Sequence, residues 1–143
     1  MNVLNIEGGC LCGAIRYRST VHPVRGVICH CSMCRKHSGA PALSFFHFPA
    51  ESFTWVKGEP KRYRSSRYAE RGFCPECGSI LTMHEEVLDD RVQVTAGSLD
   101  HPEYVNPDDH VWTQDQLPWL NICDDLPKFE QSSSVISTRA NEV

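Results

Sequence analysis

The stretch Cys29-His30-Cys31-Ser32-Met33-Cys34 places three cysteines within six residues. Two cysteine pairs flank this triplet, Cys10-Leu11-Cys12 near the N-terminus and Cys74-Pro75-Glu76-Cys77 past the middle of the chain, and Cys123 stands apart. Four thiolates complete a tetrahedral zinc site, whereas three leave one coordination position open. Two pairs and a triplet therefore supply the ligands for one closed site and one open site.

The cysteine spacing favours metal binding over disulfides. The two sulfurs of a Cys-x-Cys pair are too close in sequence for easy bridging at normal disulfide geometry. Residues 1–9 lack the basic and apolar regions of a signal peptide, and no apolar run approaches the roughly 20 residues that span a bilayer. We therefore expect a cytoplasmic protein without a membrane partner, in which the eight thiols stay reduced.

Length and charge limit the class of protein further. A chain of 143 residues fits one domain, and we expect that domain to extend over 1–143, with a core of about 8–130 and a flexible tail at 131–143. The net charge of −4 argues against a binder of nucleic acid, which would present a basic face. The sequence carries no indication of the oligomeric state.

The hydrophobic pattern predicts a mainly β domain with little helix. Ser32–Ser38 is predicted to form a short helix that carries Cys34 and stops at Gly39-Ala40-Pro41. From Ser98 onward, scattered prolines predict an extended segment that wraps on the sheet. The run at 42–48 is the most apolar of the predicted strands and should lie in the core, and the last two strands should form a hairpin. The predicted strands are Ala14–Arg18, Val24–Ile28, Ala42–Phe48, Phe53–Val56, Arg62–Ser66, Tyr68–Phe73, Ile80–His84 and Arg91–Ala96.

The two cysteine pairs are predicted to form a structural zinc site. Gly13 and Gly78 follow the pairs directly and allow the backbone to turn tightly around sulfur. Each pair therefore predicts a zinc knuckle, which is a turn that presents metal-ligating cysteines. Structural zinc contributes about 10–16 kcal/mol of apparent folding free energy in small peptides, so stability is a sufficient role for Cys10, Cys12, Cys74 and Cys77.

The triplet allows two interpretations that spacing alone does not separate. Cys29, Cys31 and Cys34 can hold a zinc ion with an open, exchangeable position. Alternatively, the site is structural and a fourth ligand closes it, the candidates being His30, His37, a remote histidine or Cys123. His30 lies between two ligands, so its side chain should point away from that metal. Cys123 has apolar neighbours and is predicted to be a buried thiol.

Several segments resemble the CENP-V/GFA family, the glutathione-dependent formaldehyde-activating enzymes. The matching cysteine segments are Gly9–Gly13, Cys29–Arg35 and Phe73–Ser79, and the pair Ser38-Gly39 matches as well. Later segments resemble the same family, namely Gly97–Asp100, His110, Pro118-Trp119 and Asp125–Phe129. The resemblance extends over roughly residues 8–130, and Cys123 is not part of the family pattern.

The resemblance implies an Mss4-like fold of short antiparallel sheets organised around zinc knuckles. It implies two zinc ions, a structural one at Cys10, Cys12, Cys74 and Cys77 and a catalytic one at Cys29, Cys31 and Cys34. The implied activity joins formaldehyde to glutathione as S-hydroxymethylglutathione, which is a carbon–sulfur lyase reaction in reverse.

The charge of the triplet site indicates how such an enzyme would work. Zinc with three thiolates already carries a net negative charge, so it is better suited to holding a fourth thiolate than to polarising a carbonyl. A free thiol has a pKa of about 8.5, and coordination removes its proton. We therefore expect a thiol, glutathione or a similar one, to bind there and add to a small aldehyde. Arg35 and Lys36 are predicted to compensate charge or bind the thiol, and Arg71 is a further cation in reach.

Two other functions remain open at this stage. The first is a non-catalytic binding module stabilised by two structural zinc sites, because a fold does not determine function. The second is thiol redox chemistry, which needs an exposed cysteine that binds no metal. Only Cys123 lies outside the three cysteine groups.

Overall fold

The computed structural model describes residues 4–132, which form a mainly β structure with a single α-helix in that range. The sequence prediction of a mainly β fold with little helix is confirmed. The elements in chain order are β1 (Ile6–Gly9), β2 (Arg16–Ser19), β3 (Arg25–Cys29), α1 (Ser32–Ser38), β4 (Leu43–Pro49), β5 (Phe53–Lys57), β6 (Lys61–Arg64), β7 (Ala69–Phe73), β8 (Ile80–Glu85), β9 (Arg91–Thr95) and β10 (Asp109–Val111).

The strands form two sheets. A three-stranded antiparallel sheet has the order β1-β2-β5, and a seven-stranded sheet has the order β10-β3-β4-β9-β8-β7-β6. In the larger sheet β10 pairs with β3 in parallel, and the other neighbours are antiparallel. The predicted hairpin of the last two strands is present as β8 and β9, joined through a 3-10 turn at Glu86–Leu88.

The core is centred on β4, as the apolar run predicts. Phe45, Phe46, His47 and Phe48 are all buried, so this strand does not alternate between buried and exposed positions. Continuous burial is expected where both faces of a strand are covered. Phe46 and Phe48 join a cluster with Tyr17 of the smaller sheet, whereas Phe45 packs on the other side against the Cys29 region.

Strand β3 and helix α1 place the triplet. Cys29 ends β3, and the chain then turns into α1, which has the predicted bounds. Cys31 caps the helix because its Sγ accepts a hydrogen bond from the backbone N–H of Cys34, with an N···S distance of 3.3 Å. Gly39 ends the helix. A strand end, a helix cap and the first helical turn thus bring the three sulfurs together.

Two strands were not predicted from the sequence. β1 contains only four residues, of which two are glycines with low β propensity. β10 has three residues and lies in the segment for which extended structure was predicted, and its pairing with β3 anchors that segment beside Cys29. The predicted tail lies outside the described residues from position 133 onward. No helix within residues 4–132 has the length and apolar composition needed to cross a membrane.

Candidate metal centres and the adjoining cavity

The two cysteine pairs meet in a four-cysteine cluster, formed by Cys10, Cys12, Cys74 and Cys77. Their Sγ atoms all lie within 4.8 Å of one another. Gly13 and Gly78 have φ values of 80° and 79°, in the left-handed region that favours glycine. Their amides donate to the carbonyl oxygens of Cys10 and Cys74 at 3.2 and 2.8 Å. Two similar turns therefore present their sulfurs to one point.

Hydrogen bonds at two members of the four-cysteine cluster, Cys10 and Cys77, favour negative charge on sulfur. The amide of Ile15 donates to the Sγ of Cys10 at 3.2 Å. Hydrogen bonds with the hydroxyl and the backbone amide of Ser79 lower the pKa of Cys77 to about 5. Four sulfurs in mutual contact are the donor set of a tetrahedral structural zinc, so these residues fit that metal.

The triplet brings together Cys29, Cys31 and Cys34, again with all sulfurs within 4.8 Å of one another. Cys29 and Cys34 are buried, and Cys31 is half-buried. No other Cys, His, Asp or Glu among residues 4–132 adds a fourth ligand atom to this group. The donor set fits a metal ion that keeps one coordination position for a further ligand.

The candidates for closing the triplet lie elsewhere. His30 is fully buried, and its Nε2 lies 2.9 Å from Nδ1 of His110. The Nε2 of His110 in turn lies 2.8 Å from a carboxylate oxygen of Asp124. His37 sits in α1 with its Nε2 buried and without a hydrogen-bond partner. These histidines are not members of the sulfur cluster.

Cys123 is exposed, so the prediction that it is a buried thiol is wrong. It lies in a segment without strand or helix, and its neighbour Asp124 bonds to His110. The apolar neighbours that suggested burial, Leu120 and Ile122, are themselves only partly buried. Cys123 is exposed and belongs to neither sulfur cluster, so it meets both conditions of the redox alternative.

Arg71 supplies a positive charge at the triplet. It is 2% exposed on β7, its Nη1 donates to the Sγ of Cys34 at 3.4 Å, and its Nε donates to the Oγ of Ser65 at 3.1 Å. Hydrogen bonds with the other two thiols, helped by this guanidinium, lower the pKa of Cys31 to about 2. Hydrogen bonds with Cys31 and Cys34, together with burial, raise the pKa of Cys29. Arg71 therefore favours negative charge on the sulfurs of the triplet.

A cavity of about 230 Å³ opens beside the triplet, and all three of its cysteines line it. The wall is largely apolar, and the other lining residues include Met33, Tyr68, Met83, Val87 and Trp112. Trp112 has a φ of 57°, the one positive value among non-glycine residues of the described chain. Such strain concentrates at functional sites.

Two carboxylates also line the cavity. Burial raises the pKa of Glu85, which accepts a hydrogen bond from Nε2 of Gln93 at 3.1 Å. Asp115 is exposed. Arg35 and Lys36, predicted as thiol-binding or charge-compensating residues, lie in the last turn of α1 and do not line the cavity. Sequence reasoning missed Glu85 and Asp115, because neither belongs to a motif.

Comparison with known proteins identifies the family. A fold of short antiparallel sheets with a four-cysteine cluster and a cysteine triplet defines a class of metal-binding β domains. The family model of the glutathione-dependent formaldehyde-activating enzymes matches residues 5–115. The chain belongs to this family, which confirms the resemblance found in its sequence.

Individual relatives agree with the family assignment. A putative glutathione-dependent formaldehyde-activating enzyme of Halomonas elongata is 29% identical over 132 residues, which cover 82% of this chain and 80% of that protein. An uncharacterized lyase of Schizosaccharomyces pombe is 36% identical over 75 residues, or 52% of this chain. The match spans only 54% of the length of the yeast protein.

A solved structure shows the same fold. The crystal structure of a Rhodobacter sphaeroides protein aligns with a TM-score of 0.51 and 20% sequence identity. The alignment covers 86% of this chain and 98% of that one.

Proposed function

We propose that the chain is a zinc-dependent enzyme of the carbon–sulfur lyase type, which binds a thiol at the triplet and adds it to a small aldehyde. The observation that carries the proposal is that the triplet has three ligand atoms, no fourth within residues 4–132, and a cavity at its side. A structural site would need no such cavity. The four-cysteine cluster, in this proposal, holds a structural zinc.

The residues of the chain have distinct roles in this proposal. Cys29, Cys31 and Cys34 hold the zinc, which when bound keeps the substrate thiol as a thiolate at neutral pH. Arg71 offsets the negative charge through its contact with Cys34. The side chains of Met83 and Trp112 form apolar parts of the wall beside which the aldehyde would meet the thiol.

The addition step balances without an oxidant or a reductant. The sulfur of the thiolate gives an electron pair to the carbonyl carbon, and a carbon–sulfur bond forms. The π electrons of the carbonyl move to its oxygen, which takes up one proton. This proton replaces the one that the thiol released, so the product is a hemithioacetal with all atoms of the two substrates.

Glutathione and formaldehyde are the substrates that the family description and the Halomonas relative's name support. Both small molecules are therefore proposed as partners of this chain. Arg35 and Lys36 remain predicted contacts of the thiol substrate. Because they lie on α1 and do not line the cavity, they would contact a part of the substrate that extends outside it.

The proposal is tested with protein loaded with Co²⁺ in place of zinc and titrated with glutathione. We expect a new sulfur-to-cobalt charge-transfer band in the wild type and in Cys123→Ser, whose cysteine lies outside both clusters. Cys31→Ser should lack it. In parallel, NMR should show S-hydroxymethylglutathione forming from formaldehyde and glutathione faster than in buffer alone.

Two results would overturn the proposal. The first is a cobalt spectrum that neither glutathione nor any small thiol changes, which would favour the binding module with two structural sites. The second is wild-type protein that binds glutathione but leaves the rate of addition at the value in buffer.

A further inference from the structure

We propose that the cavity beside the triplet selects a small thiol that carries a positively charged amine, in preference to a peptide thiol with several carboxylates. The inference rests on the proposed function, because it names the substrate class of the same site. It is carried by the size of the cavity and by the charges that line it.

The cavity is small for a tripeptide. Its volume of about 230 Å³ lies below the roughly 300–1,000 Å³ of pockets that enclose drug-sized ligands. Met33 and Met83 line the cavity and offer no hydrogen-bond donor to a peptide backbone, and Trp112 offers only its indole N–H. A thiol with a short carbon chain fits such a space, whereas glutathione is too large for the cavity to enclose it fully.

The charged groups on the wall favour a cation. Glu85 and Asp115 are acidic, and Arg71 is the single basic residue that lines the cavity in the described chain. The Nε and Nη1 of Arg71 already donate to Ser65 and Cys34. A carboxylate in the cavity would therefore find two like charges and one largely engaged guanidinium. An ammonium group would find two acceptors.

The metal centre increases this preference. A divalent ion with three cysteine thiolates and a substrate thiolate carries a net charge of two negative units, of which Arg71 offsets one. A positively charged amine on the substrate therefore makes the occupied site less negative. A carboxylate makes it more negative, and an apolar wall screens the resulting repulsion poorly.

Other cations near the site are not in the cavity. The guanidinium of Arg67 lies over the ring of Tyr68, 5.5 Å from the ring centroid, and Arg67 itself is not a lining residue. Arg35 and Lys36 lie on α1, also outside the lining. Among the charged residues that line the cavity within residues 4–132, two are acidic and one is basic.

The inference is tested by titrating Co²⁺-loaded protein with four probes: cysteamine, 2-mercaptoethanol, 3-mercaptopropionate and glutathione. The first three differ mainly in carrying an amine, a hydroxyl or a carboxylate on the same short chain. We expect cysteamine to bind about ten-fold more tightly than 3-mercaptopropionate. The charges at the site attract its ammonium group and repel the carboxylate, and one such contact at an intermediate dielectric has about this effect. Glutathione should bind more weakly than cysteamine.

Intrinsic differences in thiol acidity are removed by comparing variants. The double variant Glu85→Gln and Asp115→Asn keeps the shape of both side chains and removes their charge. The ratio of the two dissociation constants should shrink several-fold in this variant, and the part that remains should come from the charge of the metal centre. Glu86→Gln is the matched control, because Glu86 is the next residue along but does not line this cavity, and it should keep the wild-type ratio.

The outcomes separate this inference from the proposed function. If every thiol leaves the cobalt spectrum unchanged, the proposed function fails, and the inference fails with it. If thiols bind but glutathione or 3-mercaptopropionate binds more tightly than cysteamine, the inference alone is overturned. It is also overturned if the double variant keeps the wild-type ratio while circular dichroism shows that it is folded.

Discussion

The Nε2 of His30 lies 2.9 Å from the Nδ1 of His110, and both imidazoles are buried. The rings are nearly parallel, with centroids 5.1 Å apart. The carboxylate of Asp124 accepts from the other nitrogen of His110, so a neutral His110 carries its proton on Nε2 and accepts from His30 at Nδ1. Asp124 thus orients His110, and His110 in turn holds His30, which lies between two cysteines of the triplet.

His110→Ala should destabilise the protein by about 2–4 kcal/mol, because it leaves His30 without its partner in a dry interior and opens a cavity. The free energy of unfolding of metal-loaded protein in denaturant measures the effect. The control is His101→Ala, at an exposed position, which should change it by less than about 0.5 kcal/mol. Equal effects of the two substitutions would contradict a structural role for the histidine pair.

His47 should make stability depend on pH. Burial lowers its pKa from 6.5 to about 3, so between these values the unfolded chain binds a proton that the folded chain does not. Stability therefore falls as the pH falls through 6.5. The loss from this residue should reach about 1.4 kcal/mol between pH 7.5 and 5.5.

His47→Leu should reduce that loss, because it removes the titrating group and its two unpartnered nitrogens. Unfolding free energies at the two pH values give the slope. His22→Gln, at an exposed position, should keep the wild-type slope. A slope unchanged in His47→Leu would show that His47 is not the source.

Phe45→Ala should cost about 3–5 kcal/mol, because Phe45 is 1% exposed and packs against the Cys29 region. Phe129→Ala, at a position that is 37% exposed, is the matched control. Equilibrium unfolding followed by tryptophan fluorescence would detect the difference. A cost below about 1 kcal/mol at Phe45 would mean that the core around β4 repacks easily.

Chelator should remove metal from wild-type protein in two steps. The triplet supplies three protein ligands and the four-cysteine cluster supplies four, so the metal at the triplet should leave first with the fold intact. Far-UV circular dichroism and metal release, recorded together, distinguish the steps. Loss of both metals and of all structure in one step would contradict the difference between the sites.

Cys74→Ser and Cys31→Ser should have different effects on folding and on metal content. Serine keeps its proton and binds zinc weakly, so Cys74→Ser should give unfolded or poorly soluble protein with little metal. Cys31→Ser should keep its fold and about one metal per chain, because the four-cysteine cluster is intact. Metal analysis and circular dichroism measure both quantities. Unfolding of Cys31→Ser to the same extent would make the triplet a structural site too.

The sequence predicted the elements that depend on local pattern. The α1 bounds followed from the polar stretch after Cys31 and the Gly39-Ala40-Pro41 stop, and β4 followed from its apolar run. The grouping of the cysteines could be proposed because ligand number constrains it.

Other features depend on contacts between distant segments. The His110–Asp124 interaction requires β10 to pair with β3 and an irregular segment to return, and no local pattern encodes either. The cavity combines side chains from the triplet, β7, β8 and the Trp112 turn. Cys123 was placed wrongly because apolar neighbours suggest burial even in a segment that lies on the surface.

Strand β7 connects the two candidate metal centres. Arg71, in the middle of the strand, contacts Cys34, and the strand leads directly into Cys74 of the other cluster. In the proposed function, a metal on Cys74 would fix the end of the strand that carries Arg71. Occupancy of the four-cysteine cluster would therefore also stabilise the charge contact at the triplet, through a residue that touches only one of the two sites.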